Sequence, residues 1–180
     1  MSKFRNIVVV TAAAAALTLG AAAPAFAAGS GGTGTTFALT GGALSITVPA
    51  TSNLGTQATG ATTTISGALG AVQVTDARGL LAANWNSTAA TTAFTTGGGT
   101  AAETVPASAA TYTPGATTAR SGLATFAPGP GGVMTASQPA YVETLGVGNN
   151  SATWDPTIAV AVPAGAVAGT YSATLTHSVL

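Results

Sequence analysis

The sequence predicts an all-β protein, and three observations carry that expectation. The segment Tyr171 to Val179 alternates strictly, with Tyr171, Ala173, Leu175, His177 and Val179 on one face and Ser172, Thr174, Thr176 and Ser178 on the other. That is the period of a half-buried strand. Short alternating or β-branched segments recur along the chain and stop at proline or glycine, as strands do. No stretch beyond the N-terminal segment keeps a helical period. Many short strands divided by turn signals indicate a β-sandwich with immunoglobulin-like or Greek-key connections.

The N-terminus reads as an export signal. Lys3 and Arg5 precede an uncharged apolar stretch from Ile7 to Leu19, and Ala25-Phe26-Ala27 follows as an A-x-A cleavage site. The apolar stretch is shorter than the roughly 20 residues a membrane span needs. Residues 1–27 are therefore expected to be a cleaved signal peptide, residues 28–36 a flexible Gly/Ser/Thr-rich leader, and residues 37–180 a single domain. The mature chain, about 150 residues long, is large enough to bury a core without covalent staples, and none is available because the sequence has no cysteine.

The strands are expected in the following order. Phe37-Ala38-Leu39 opens the first. Leu44-Ser45-Ile46-Thr47-Val48 alternates and stops at Pro49. Ala61 to Ile65 is a weaker segment. Val72-Gln73-Val74-Thr75 alternates and meets Asp76-Ala77-Arg78-Gly79, a turn in which Gly79 is free to take positive φ. Asn84-Trp85-Asn86-Ser87 starts the next strand, and Phe94 lies near its end. Residues 96–104, with a glycine triplet, form a loop. Thr111-Tyr112-Thr113 is a short strand closed by Pro114-Gly115. Phe126 to Val133, with Pro128-Gly129-Pro130-Gly131-Gly132, is a loop that no helix could cross. Ala152-Thr153-Trp154 and Ile158 to Val162 are strands parted by Asp155-Pro156, and Pro163-Ala164-Gly165 turns toward the final strand.

Charge is sparse: four Lys or Arg, four Asp or Glu, one histidine and no net charge. No basic patch points to nucleic acid, and no basic amphipathic helix points to a membrane surface once the signal is removed. Threonine and valine suit a pleated surface, and threonine keeps a solvent face wettable without charge. A surface so weakly charged repels its own copies little, so self-association is expected to be open to it.

Few residues carry chemistry. Gly29-x-Gly31-x-x-Gly34 matches a dinucleotide-binding string, but it follows a cleavage site rather than a strand and reads as linker. His177 is the sole histidine; with no G-x-S-x-G elbow it reads as a buried or half-buried structural residue rather than a catalytic base. Asp76, Glu103, Glu143 and Asp155 are the only carboxylates that a glycoside-hydrolase pair could draw on, and nothing in their local sequence pairs them. Asp76 lies two residues from Arg78, which suits a local turn contact, and Asp155 precedes a proline. One histidine and no cysteine make a metal site unexpected. No catalytic residue and no cofactor is assigned. Trp85 and Trp154 read first as core and second as flat faces on which a sugar ring could stack. The candidate ligand-binding residues are thus Trp85, Trp154, Tyr171 and His177, and Asp76, Arg78 and Gly79 form a structural turn.

Several stretches together resemble the WxL family of surface proteins of Gram-positive bacteria. Val72 to Gly79 followed by Trp85 resembles the family's V-x-D-x-R-G segment and the tryptophan after it. Phe94-Thr95-Thr96-Gly97-Gly98-Gly99, then Glu103 to Ala107, resembles its middle region. Val160 to Gly165 and Ala168 to Thr176 resemble the turn and strand that lead to its C-terminal motif. The defining Trp-x-Leu falls at His177-Ser178-Val179, which keeps the period-two face but replaces the tryptophan. Trp85-Asn86-Ser87 likewise lacks the aliphatic residue of the earlier motif. The resemblance implies a secreted, cell-wall-associated protein that holds peptidoglycan or another wall polymer without a covalent bond and partners other surface proteins. No L-P-x-T-G signal or lipobox cysteine suggests covalent anchoring. Two other functions are weighed beside it: a self-assembling surface-layer or fibre subunit, and a secreted carboxylate-dependent glycoside hydrolase.

Overall fold

A computed structural model describes residues 30–180. The export signal and its cleavage site lie outside the described residues. Residues 38–180 form one compact unit. The all-β expectation is met: among the described residues the only helical elements are two short 3-10 turns, Ala101–Glu103 and Ala107–Ala109.

The fold is built on three long antiparallel ribbons that run side by side and turn two corners. The first ribbon is β2 (Thr63–Ala68), β3 (Val72–Asp76) and β4 (Leu81–Thr91) in succession. The middle ribbon is β10 (Gln138–Trp154) followed by β11 (Thr157–Val162). The third is β7 (Ala110–Thr113) followed by β8 (Thr117–Pro128). Pairing continues through the breaks. Trp154 faces Val72 in one sheet and Thr157 faces Ala68 in the next; likewise Trp154 faces Thr117 and Thr157 faces Thr113. Short strands complete the layers: β1 (Leu44–Thr47) beside β3, β12 (Leu175–Val179) beside β4, β9 (Gly132–Val133) beside β7, and β5 (Phe94–Thr95) with β6 (Thr104–Val105) as a separate pair. The result is a sandwich of a six-stranded and a four-stranded sheet.

The corners follow from sequence. At the first, Leu69-Gly70, Pro114-Gly115 and Asp155-Pro156 interrupt the three ribbons at one level, because proline cannot donate to a ladder and glycine tolerates positive φ. At the second, the break falls at Ala77 to Leu80 on the first ribbon, Gly122 on the third, and Leu145 to Asn149 on the middle one, where the β10 register shifts against both neighbours. Gly122 has φ +80, and a Cβ there would run into the carbonyl oxygen of Asn149. Bulges and glycines at this level let one strand serve two faces of a sandwich.

The core lies between the folded-back halves of the larger sheet and the inner face of the smaller one. Trp85, Tyr141, Trp154 and Phe126 pack as an aromatic cluster. Val72, Val74, Ile158, Val160 and Tyr112 surround it.

Several expectations need correction. Phe37-Ala38-Leu39 forms no strand; the first is β1 at Leu44. β8 was not anticipated, and its end at Phe126-Ala127-Pro128 pairs with β10, which cuts the proline-rich loop to Gly129–Gly131. The final strand is shorter than its alternation: before Leu175 only an isolated bridge joins Ser172 to Thr95.

Candidate functional site, a neutral cleft beside the last strand

β12 places His177 opposite Ala89 of β4 with its ring turned inward, and Ser178 outward. The chain leaving β1 at Val48-Pro49 passes the start of β12 rather than pairing with it. Between them is a cleft of about 270 Å³ lined by Val48 to Ser52, Leu69, Val72, Ala173 to Leu175 and His177. A shallower depression, lined by Thr92, Ala93, Thr95 and Ser172 to Thr174, shares Ala173 and Thr174 with it. The lining combines aliphatic side chains with Thr and Ser hydroxyls and contains no carboxylate, lysine or arginine.

His177 is the only titratable group on that lining. Its Nε2 lies 3.0 Å from the Tyr112 hydroxyl, and the two rings meet edge to face at 5.6 Å. Burial pushes the imidazole pKa down to about 4 and the Tyr112 phenol up to about 12. Both are therefore neutral at ordinary pH, because a charge on either would lack water. Nδ1 has no hydrogen-bond partner among the described residues.

The remaining predicted ligand residues lie elsewhere. Trp85 and Trp154 are 1% and 0% exposed. Their rings are covered by each other, by Tyr141 and by Phe126, so neither offers a face to a sugar in this structure. Their assignment as ligand residues is corrected to core packing. Tyr171 is half-buried, and its hydroxyl sits 3.1 Å from the Ala102 carbonyl and 3.0 Å from that of Val167. It staples the turn before the last strand to the first 3-10 turn.

Asp76, Arg78 and Gly79 form the turn read from the sequence. The Arg78 backbone N–H and Nε both donate to Asp76 Oδ1 at 2.9 Å, and a terminal guanidinium nitrogen donates to Oδ2 at 2.7 Å. The same terminal nitrogen reaches the Asn84 carbonyl at 2.9 Å, which ties the turn to β4. The hydrogen bonds from Arg78 hold the Asp76 carboxyl below the usual carboxylate range despite its burial.

Sequence reasoning missed what lies next to this turn. Glu143 is 1% exposed, and neither carboxyl oxygen has a partner among the described residues. Gly146, with no side chain, leaves the space that Glu143 and the Asn150 amide occupy. Burial, and then the charge of Asp76, push the Glu143 carboxyl up. The two carboxylates thus come together, but at the inner side of the second corner and away from the cleft. Glu103 instead accepts from the Thr100 backbone and hydroxyl at 2.9 and 2.7 Å, and Asp155 is exposed at the first corner. No sequence signal could have joined Glu143 to Asp76, since the register that does so is long-range.

Among the described residues no cluster of three or more His, Asp or Glu could hold a metal ion, and no helix is long and apolar enough to cross a membrane. The fold and cleft define a class: an all-β domain with an uncharged groove beside its last strand. Comparison with known proteins gives no match to a family model, to a curated protein or to a solved structure.

Proposed function

We propose that this is a secreted, non-catalytic surface protein that associates with the bacterial cell wall, holding peptidoglycan or a similar wall polymer in the cleft beside its last strand. The observation that carries this reading is the cleft's lining. Aliphatic and hydroxyl groups with a neutral imidazole suit a glycan chain, whose rings offer apolar faces and hydroxyl edges but no charge. The cleft also lies along the strand where the resemblance to WxL proteins puts the family's C-terminal motif, with His177 at the tryptophan position.

Non-covalent retention suits such a site. A long polymer engages many copies of a weak binder, so modest affinity per site suffices to hold the protein at a surface. The test is sedimentation with purified Gram-positive sacculi. The protein is expected to pellet with the wall at low micromolar concentration and His177→Ala to weaken that retention; recovery of the wild-type protein in the supernatant would refute wall binding.

A further inference from the structure

We propose that the free edge of β8 accepts residues 35–40 of a second copy of this chain as an added strand, which joins copies head to tail. The inference stands apart from wall binding and rests on two unmatched features that fit one another.

The first is a segment with the pattern of a strand and no partner. Phe37 and Leu39 are 86% and 89% exposed. They are spaced as the inward positions of a strand. Yet among the described residues the backbone forms no ladder until Gly42 N–H donates to the Ala77 carbonyl at 2.6 Å.

The second is an edge without a cover. Among the described residues β8 pairs with β10 alone, on one side. Residues 118–123 are exposed on both faces. Leu123 there is 73% exposed and adjoins Val147 of β10, whose other neighbour is Leu81. Leu145, also 73% exposed, sits in the same corner. Among the described residues Leu145 and Ala82 are the two non-glycine residues with positive φ, both +58. A long free edge with apolar side chains beside it is a template for strand addition.

Charge and reach select the occupant. Residues 30–43 carry no charge, β8 carries only Arg120, and the chain as a whole is neutral. A charged partner would find no complement, whereas two copies of this chain do not repel. The copy's own segment cannot serve. Gly42 is held on the β1 side of β3, at the opposite edge of the sheet from β8. Crossing β3 and β10 and passing β8 takes about four strand spacings, about 19 Å. Thr40 lies within about 7 Å of Gly42 along the chain. Six residues, 35–40, extend about 20 Å, enough to cover the exposed edge from Thr118 to Ser121 and reach the corner at Gly122. Because donor and acceptor patches differ, each copy keeps one patch to offer and one to fill, so the contact can add further copies.

The natural chain has no cysteine, so cross-linking reports the contact directly. The exported full-length protein is prepared as Leu39→Cys and as Leu123→Cys, and the two are mixed under mild oxidation. Leu180→Cys, at an equally exposed position, replaces Leu39→Cys as the control. The mixed pair is expected to cross-link about tenfold more than the control pair, since docking raises the effective thiol concentration. The unmodified protein is expected to sediment as species that grow with concentration, and Leu39→Asp to revert to single copies. A mixed yield no higher than the control, or a monomer-sized cross-link in the Leu39→Cys/Leu123→Cys double variant, would overturn the proposal.

Discussion

The Tyr141 and Trp154 rings stack 4.5 Å apart and 13° from parallel, although both lie on β10. Drawn straight, the strand between them would be about 43 Å long. β10 therefore folds back on itself at Leu145 to Asn149, and the aromatic pair clamps the fold. The predicted consequence of Trp154→Ala is a loss of about 3–5 kcal/mol, the range for removing a large core aromatic. Urea unfolding should show this as a lower midpoint with little change in slope.

The second corner also depends on close backbone approach, so two glycines there should answer differently to alanine. Gly122 has φ +80 and no room for a Cβ against Asn149; Gly148 has φ +69 with open space around it. Gly148→Ala is expected to cost only the backbone strain, about 1–2 kcal/mol. Gly122→Ala should cost clearly more. Equal thermal shifts for the two variants would mean that Asn149 yields easily.

Acid should act on this protein through groups of opposite sign. The His177 pKa is lowered to about 4 from 6.5, so its neutral burial stabilises the fold above pH 6.5 and this contribution is lost as pH falls toward 4. Asp76 is also lowered, and its contribution is lost on further acidification. Glu143 is raised above 4.5 by burial; its contribution is present below 4.5 and fades as pH rises through its folded value. Against wild type in urea melts, His177→Gln should flatten the acid limb between pH 6.5 and 4, and Glu143→Gln should gain relative stability toward neutral pH.

The Asp76–Arg78 pair is the other sensitive point. Arg78→Ala leaves a buried carboxylate without its part-exposed cation, and losing hydrogen bonds to a charged group costs about 1.5–3 kcal/mol. Asp76→Asn combined with Arg78→Ala should recover part of that loss. The double-mutant cycle measures the coupling.

How far the fold could be read in advance depended on whether each strand has one dry face. β1, β3 and β12 alternate in burial and were legible as strands. β8 was not, because residues 118–123 are wet on both faces and so carry no period. The first half of β10 was hidden for a different reason: its register shifts after Pro139 and again after Glu143 bring Ala140 and Tyr141 inside together. At the candidate site, His177 was legible from its place on the inward face of the last strand. Its partner Tyr112 and the opposite wall of the cleft, Val48 to Ser52, were not, since they arrive from distant parts of the chain. Trp85 and Trp154 were legible as large aromatic residues, but only the corner in β10 decides that their faces meet one another.

The central claim is that the cleft beside the last strand holds a wall polymer. Its most direct test is retention on purified sacculi of Thr51→Trp, which fills the cleft from an exposed position. The prediction is a loss of retention with an unchanged melting temperature, while Leu39→Asp, away from the cleft, still pellets with the wall. A Thr51→Trp protein that is folded and retained as well as wild type would contradict the claim.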